Sequence, residues 1–355
     1  MLSHLILSQL ALGQYGLRTI KHLYDEEGVA EAVLKKIGKS FRDEEARAKE
    51  EIAWCKQHNV RILTIDDADY PDRLRQCPDA PMVLFTRGKA DLNAPHIISI
   101  VGTRKSTLYG KEVIERMVSD LARMLPDIVI VSGLAYGIDI NAHRAALING
   151  LSTVGVVAHG QDTLYPSIHR NDANRMCLGN GGVVTEFFHG TRSIGPYFLQ
   201  RNRIIAGMSD ATIVVESAHH GGGLVTARLA QDYNREVFAV PGPVNAPSSE
   251  GTNVLIRDNK AALITSAGDI MDALQWHDAT QTHNKRGQAQ ERSLFPDLTE
   301  EETLVADFLK HNGDTQSNVI ALGTSIPIGS LNAILLSLEM KGVVRPLSGN
   351  TYHLI

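Results

Sequence analysis

Four short segments between Ile97 and Gly242 carry residue types that hold phosphate, and each follows or opens an apolar run. The first is Gly102-Thr103-Arg104 after Ile97-Ile98-Ser99-Ile100-Val101, with Ser106, Thr107 and Gly110 ahead of a helix. Glycine lets a backbone approach a ligand, a helix start offers unpaired N–H groups, and arginine grips phosphate through two parallel hydrogen bonds. The second is Ser132-Gly133-Leu134-Ala135-Tyr136-Gly137-Ile138-Asp139. The third, Phe198-Leu199-Gln200-Arg201-Asn202-Arg203, sets cations beside aromatics, a pattern suited to single strands whose bases stack while their backbone is neutralised. The fourth is Gly221-Gly222-Gly223 with Thr226. Consecutive glycines are entropically costly unless a backbone must come close to something.

Other chemistries fit less well. A dinucleotide site calls for G-x-G-x-x-G after the first strand and an acid ending the second, whereas Val131-Ser132-Gly133 ends without one. Ser132, Asp139 and His143 could be drawn as a triad, yet a Ser-Gly turn before a helical histidine also fits capping and packing. Arg201–Arg203 could equally form internal ion pairs, and Asn202 suits a buried cap. Glu216, His219 and His220 make a poor metal site, because adjacent histidines point apart. The expectation is a protein built to bind, with no catalytic residue, metal or cofactor.

The elements that must position these segments alternate. Apolar strands near 97–101, 128–132, 153–157, 182–185, 212–216 and 236–240 are separated by helices such as Gly110–Leu125 and Gly137–Asn149. Continuous apolar strands between helices predict an α/β fold, a doubly wound, extended Rossmann-like sheet covered on both faces. Residues 1–60 read as a small helical domain of SAM or helix-hairpin-helix type, broken at Gly13-Gln14-Tyr15-Gly16, with Asp43–Lys56 a charged amphipathic helix. Residues 61–278 form the sheet domain, 279–297 a polar linker, and 298–355 a winged-helix-like domain. That tail opens on a capping box, Thr299 with Glu302, and its third helix near Ile328–Lys341 has Lys341 as its one cation, which favours a structural or protein-contact role. A Ser348-Gly349-Asn350 turn joins two short strands at the end.

Composition sets the outer limits. At 355 residues, with 43% hydrophobic and 21% charged, the chain suits two or three globular domains. Its apolar runs are shorter than a membrane span, and Met1–Leu10 lacks a basic leader. Cys55, Cys77 and Cys177 have no C-x-x-C spacing, so a reducing cytoplasm is the expected setting. A net charge of −5 argues against a DNA-coating protein but not against a local basic groove.

In order, these motifs resemble the DNA-processing protein A family, also called Smf. The similar region runs from about Asp69-Tyr70-Pro71 to Gly268 and includes Gly102-Thr103-Arg104, Ser132 to Asp139 with His143, and Gly160 with Tyr165-Pro166. It continues through Thr185-Glu186, Arg201 to Gly207, the glycine run with Thr226-Ala227, and Val240-Pro241-Gly242. The resemblance implies a homodimer that binds single-stranded DNA on its Rossmann-like domain and loads RecA recombinase in natural transformation and recombination, with single-strand-binding protein a further partner. It implies that Arg104, Gly102 and Thr103 hold a phosphate, and that Arg201, Asn202 and Arg203 line the same groove with Phe198 stacking a base. Ser132, Gly133, Gly221, Gly222, Gly223 and Thr226 would complete the site. Tyr136 stands where many members have a basic residue, which turns a phosphate contact into a stacking contact or removes it. Gly221 and Gly223 replace the more usual serines, and Asn259-Lys260-Ala261 replaces a Gly-Ala pair. Two other readings stay open. One is a nucleotide phosphoribohydrolase similar to the lysine-decarboxylase-like family, although no glutamate follows the glycine run before Glu236. The other is a scaffold whose DNA groove has decayed.

Overall fold

A computed structural model describes residues 1–276, 298–341, 343–347 and 351–354. The expected linker 279–297 and the Ser348-Gly349-Asn350 turn lie outside the described residues. The chain divides into two compact units, Met1–Trp276 and His277–Ile355.

In the first unit, α1 (Leu2–Leu12), α2 (Leu17–Glu27), α3 (Ala30–Ile37) and α4 (Arg42–Gln57) precede β1 (Arg61–Thr64), α5 (Asp72–Arg75) and β2 (Val83–Gly88). Alternation then begins with β3 (Ile97–Val101), α6 (Leu108–Met124), β4 (Val129–Ser132), α7 (Ile138–Ile148), β5 (Ser152–Val156), α8 (Arg170–Leu178) and β6 (Gly182–Thr185). It ends with α9 (Gly195–Gly207), β7 (Ala211–Val214), α10 (Gly222–Asp232), β8 (Glu236–Ala239), α11 (Glu250–Arg257), β9 (Ala262–Leu263) and α12 (Ala267–Leu274).

The strand order is β1-β2-β6-β5-β4-β3-β7-β8-β9. From β6 to β9 every pairing is parallel, and β2 adds to β6 antiparallel, as does β1 to β2. The central strands β3 to β7 are fully or almost fully buried and largely apolar because successive side chains enter opposite cores. Ile97 and Val101 of β3 join one cluster with α9, α10 and the helices of residues 1–57, while Ile98 and Ile100 join the other with α6, α7 and α12. On α6, Val113, Ile114, Met117, Val118 and Leu121 recur at helical spacing and form the face turned to that second cluster. The chain runs outward from β3 to β6 and then returns to place β7 beside β3. This reversal is a topological switch point, and the crevice beyond such strand ends is where open α/β sheets take ligands.

The second unit contains α13 (Glu300–Asn312), β10 (Thr315–Gln316), α14 (Ser317–Thr324), α15 (Ile328–Met340), β11 (Val344–Leu347) and β12 (Thr351–Leu354). The strands pair antiparallel in the order β10-β12-β11. Thr299 and Glu302 form the capping box of α13. Glu302 also accepts from Lys341 Nζ at 2.7 Å and Ser337 Oγ at 2.6 Å, so the cation after α15 is engaged inside its own unit. Lys341 and Ser337 hold the Glu302 carboxyl down to about 2. Among the described residues, no single helix is long and apolar enough to cross a membrane.

Candidate nucleic-acid interface

The loops after β3, β4 and β7 meet at the switch point. The β4 loop is folded back by two left-handed residues, Leu134 at φ 56° and Gly137 at φ 75°. A Cβ at Gly137 would run into the Thr103 carbonyl, so only glycine lets Ile138 N donate to Thr103 O at 3.1 Å. On the other side, Thr103 N donates to Glu216 O at 2.8 Å, and a Cβ at Gly223 would stand 3.1 Å from Gly102 Cα. Three backbone segments thus approach within contact distance.

Between them lies a cavity of about 330 Å³, lined by Gly102, Thr103, Arg104, Phe198, Arg201, Asn202, Gly221, Gly222, Gly223 and Thr226 among others. Ten of the residues singled out from the sequence therefore share one site. The α10 N-terminus opens here with Gly221 as N-cap and no side-chain cap bond, so its first amides have no side-chain acceptor among the described residues. Asn202 Nδ2 and Thr226 Oγ1 approach the Gly222 carbonyl at 3.5 and 3.4 Å and steady that first turn.

Arg201 forms the floor. It is 4% exposed, donates from Nη1 to Val156 O at 2.7 Å, and its Nε has no hydrogen-bond partner among the described residues. Burial draws its guanidinium down to about 10, against the opposing pull of Asp139, so it stays charged at neutral pH. Burial raises the Asp139 carboxyl above the ordinary carboxylate range, against the opposing pull of the Arg201 guanidinium and of the polar groups of Ala135, Ser132 and Gly133. A Cβ at Gly133 would collide with both the Arg201 guanidinium and the Asp139 carboxylate. Gly133 therefore serves the site by letting those charges face each other, although it does not line the cavity.

Arg104 and Phe198 form the rim. Arg104 is exposed, and its Cζ stands 5.1 Å from the centre of the half-buried Phe198 ring, a cation–π contact. Tyr165, 45% exposed, packs against Phe198 at 5.7 Å. Its place beside that ring was not legible in the sequence, which marked Tyr165 only through the Tyr165-Pro166 pair.

Several expectations are corrected. Arg203 does not line the groove: it is 3% exposed, pairs with the buried Glu186 and donates to Asp79 O. Ser132 is fully buried and donates its hydroxyl to Ile100 O at 2.6 Å, pinning β4 to β3. Tyr136 stands outside the cavity lining, 45% exposed, edge-on to His169 at 5.2 Å. The helix start after Arg104 is not open either. Thr107 caps α6 through Gly110 N, and the buried Glu216 carboxylate accepts from Thr107 N at 2.9 Å and Thr107 Oγ1 at 2.6 Å. A carboxylate already occupies that positive end, so the free helix start is that of α10. Nothing in the spacing linked Glu216 to Thr107, because they are 109 positions apart.

Ser132, Asp139 and His143 are not arranged as a triad. His143 Nδ1 lies 2.6 Å from Thr153 Oγ1, whose one proton goes to Ile130 O at 2.8 Å, so His143 is the donor. Burial lowers His143 to about 3, fixing it as neutral imidazole in the core.

Residues 61–275 match the family described as DNA recombination-mediator protein A. The chain is 34% identical over 309 residues to Protein Smf of Escherichia coli (strain K12), covering 85% of this chain and 80% of that one. It is similar to the X-ray structure of DNA processing protein A from Streptococcus pneumoniae, with TM-score 0.65 and 30% identity over 76% of this chain and 97% of the other. A second similar structure is DNA processing protein A from Helicobacter pylori, described for its unique single-stranded DNA binding mode, with TM-score 0.54 and 29% identity over 61% and 95% of the two chains.

Proposed function

The chain belongs to the DNA recombination-mediator protein A family, and from that membership we propose that it binds single-stranded DNA at the switch-point cavity. The observation that carries this reading is one floor and one rim of complementary chemistry. The floor joins the uncapped α10 N-terminus to the buried, charged Arg201 with its unpartnered Nε. The rim joins exposed Arg104 to the Phe198 ring. A phosphodiester satisfies the first pair, and the next phosphate and a base satisfy the second. The Helicobacter pylori relative, whose described property is single-stranded DNA binding, supports the same assignment.

In this reading the domain of residues 61–278 carries the DNA; in sequence the helical segment 1–60 precedes it and the winged-helix-like tail 298–355 follows. The strand-bound protein acts as a homodimer in the cytoplasm and hands its DNA to RecA, with single-strand-binding protein a further partner. Fluorescence anisotropy of a labelled oligo-dT against matched duplex, at two salt concentrations, tests the first step. Tight, salt-sensitive binding confined to the single strand is expected. Equal affinity for duplex, or no binding, would refute it.

A further inference from the structure

Helix α4 grips a single loop residue, His189, from several directions. Glu51, 1% exposed, accepts from His189 N at 3.0 and 3.1 Å and from His189 Nδ1 at 2.6 Å. Arg47 donates to the His189 carbonyl and stands 3.4 Å from the Glu51 carboxylate. Trp54 lies flat on the imidazole, 4.9 Å away with 6° between planes, and His58 also stacks on the Trp54 ring, at 4.3 Å. A buried carboxylate is costly unless fully partnered, and among the described residues the partners of Glu51, apart from Arg47 and the Cys55 thiol on its own helix, all come from this loop residue.

From His189 two short connections reach the rim of the cavity. Gly190 N donates to Asp162 Oδ1 at 2.8 Å and Gly160 N to Thr191 O at 3.0 Å, which ties down the loop leading to Tyr165 and so to the Phe198 ring. Phe187, two residues before His189, packs on Tyr197 at 4.6 Å, beside Phe198 in the first turn of α9. We propose that Glu51 and Arg47 are positioning residues for the single-strand groove, and that the helical region and the groove rim are coupled through His189. This inference rests on the single-strand reading above. A contact that merely glued α4 to the sheet would change stability alone. Coupling instead makes the Trp54–His189 stack respond when a base displaces the Phe198 and Tyr165 rings.

The chain has two tryptophans, so Trp276→Phe leaves Trp54 as the single tryptophan, excited selectively over the tyrosines, in the full-length protein. Titration with oligo-dT should change its emission with the same midpoint as the anisotropy curve. Glu51→Gln should weaken oligo-dT binding about three- to tenfold, the size of effect seen along packed connections, with no change in salt slope because no phosphate contact is lost. His189→Asn, whose amide can still donate to Glu51, should bind more tightly than Glu51→Gln. Saturating anisotropy with flat Trp54 emission would overturn the coupling, as would a folded Glu51→Gln variant of wild-type affinity. A wild-type protein that fails to bind oligo-dT would sink the single-strand reading itself, and this inference with it.

Discussion

Arg104→Ala separates a phosphate contact from a packing contact, because Arg104 has one visible partner. Its guanidinium is exposed and rests over Phe198, and among the described residues it makes no ion pair. Removing it should therefore cost little stability, about 0.5–1 kcal/mol for an exposed cation–π contact. Binding should respond differently. One neutralised phosphate on a single strand contributes about 0.7 to the slope of log affinity against log salt. Between about 50 and 200 mM salt that term alone changes affinity by roughly 2.5-fold. The ratio of wild-type to variant affinity should shrink by that factor across the range. Arg104→Lys should keep the slope while losing the planar fork, so its lines should run parallel to wild type at lower affinity. Anisotropy titrations of oligo-dT at four or five salt concentrations measure both quantities. Parallel wild-type and Arg104→Ala lines would refute a phosphate role for Arg104, whatever happened to affinity at one salt.

The remaining expectations use residues the structure places elsewhere. Arg203→Ala leaves the buried Glu186 carboxylate without its cation, with the Gln200 amide still donating to it, and should cost about 3–5 kcal/mol, lowering Tm by roughly 6–20 °C without altering the salt slope of the folded protein. A calorimetric Tm close to wild type would refute that burial. Gly222 has open space where a Cβ would go and sits in the first turn of α10, so Gly222→Ala should leave stability unchanged or raise it by up to about 1 kcal/mol of helix propensity while weakening oligo-dT binding. Unchanged affinity would remove the α10 N-terminus from the site. His143 stays neutral in the fold down to about pH 3 but protonates near its ordinary 6.5 when unfolded. Its contribution is thus present above pH 6.5 and lost as pH falls, by at most about 1.4 kcal/mol per unit. Urea unfolding from pH 7.5 to 5.5 should show a steeper loss for wild type than for His143→Gln, and equal slopes would contradict a neutral buried imidazole.

What the sequence revealed and what it hid divide by range of interaction. The sheet was legible because each strand is short, apolar and closed by glycine or a polar residue, and predicted strand limits fall within two residues of those observed. The convergence of Gly102, Arg104, Arg201 and the glycine run was legible because loops at one end of a parallel sheet must lie together. The fate of individual arginines was not. Arg201 and Arg203 sit two positions apart on α9, where side chains diverge by about 200° around the helix axis. One such direction meets the cavity floor and the other meets Glu186, and choosing between them requires knowing what packs on each side. The same holds for the helix starts. A glycine- and threonine-rich entry reads as an anion site at both α6 and α10, but Glu216 arrives from β7 to close the first. Local residue types therefore marked every plausible phosphate site, and long-range carboxylates decided which one stayed open. That makes Glu216 as informative as Arg104: by closing the helix start after β3, it leaves the α10 start as the end that the proposed single-strand groove offers to a phosphate.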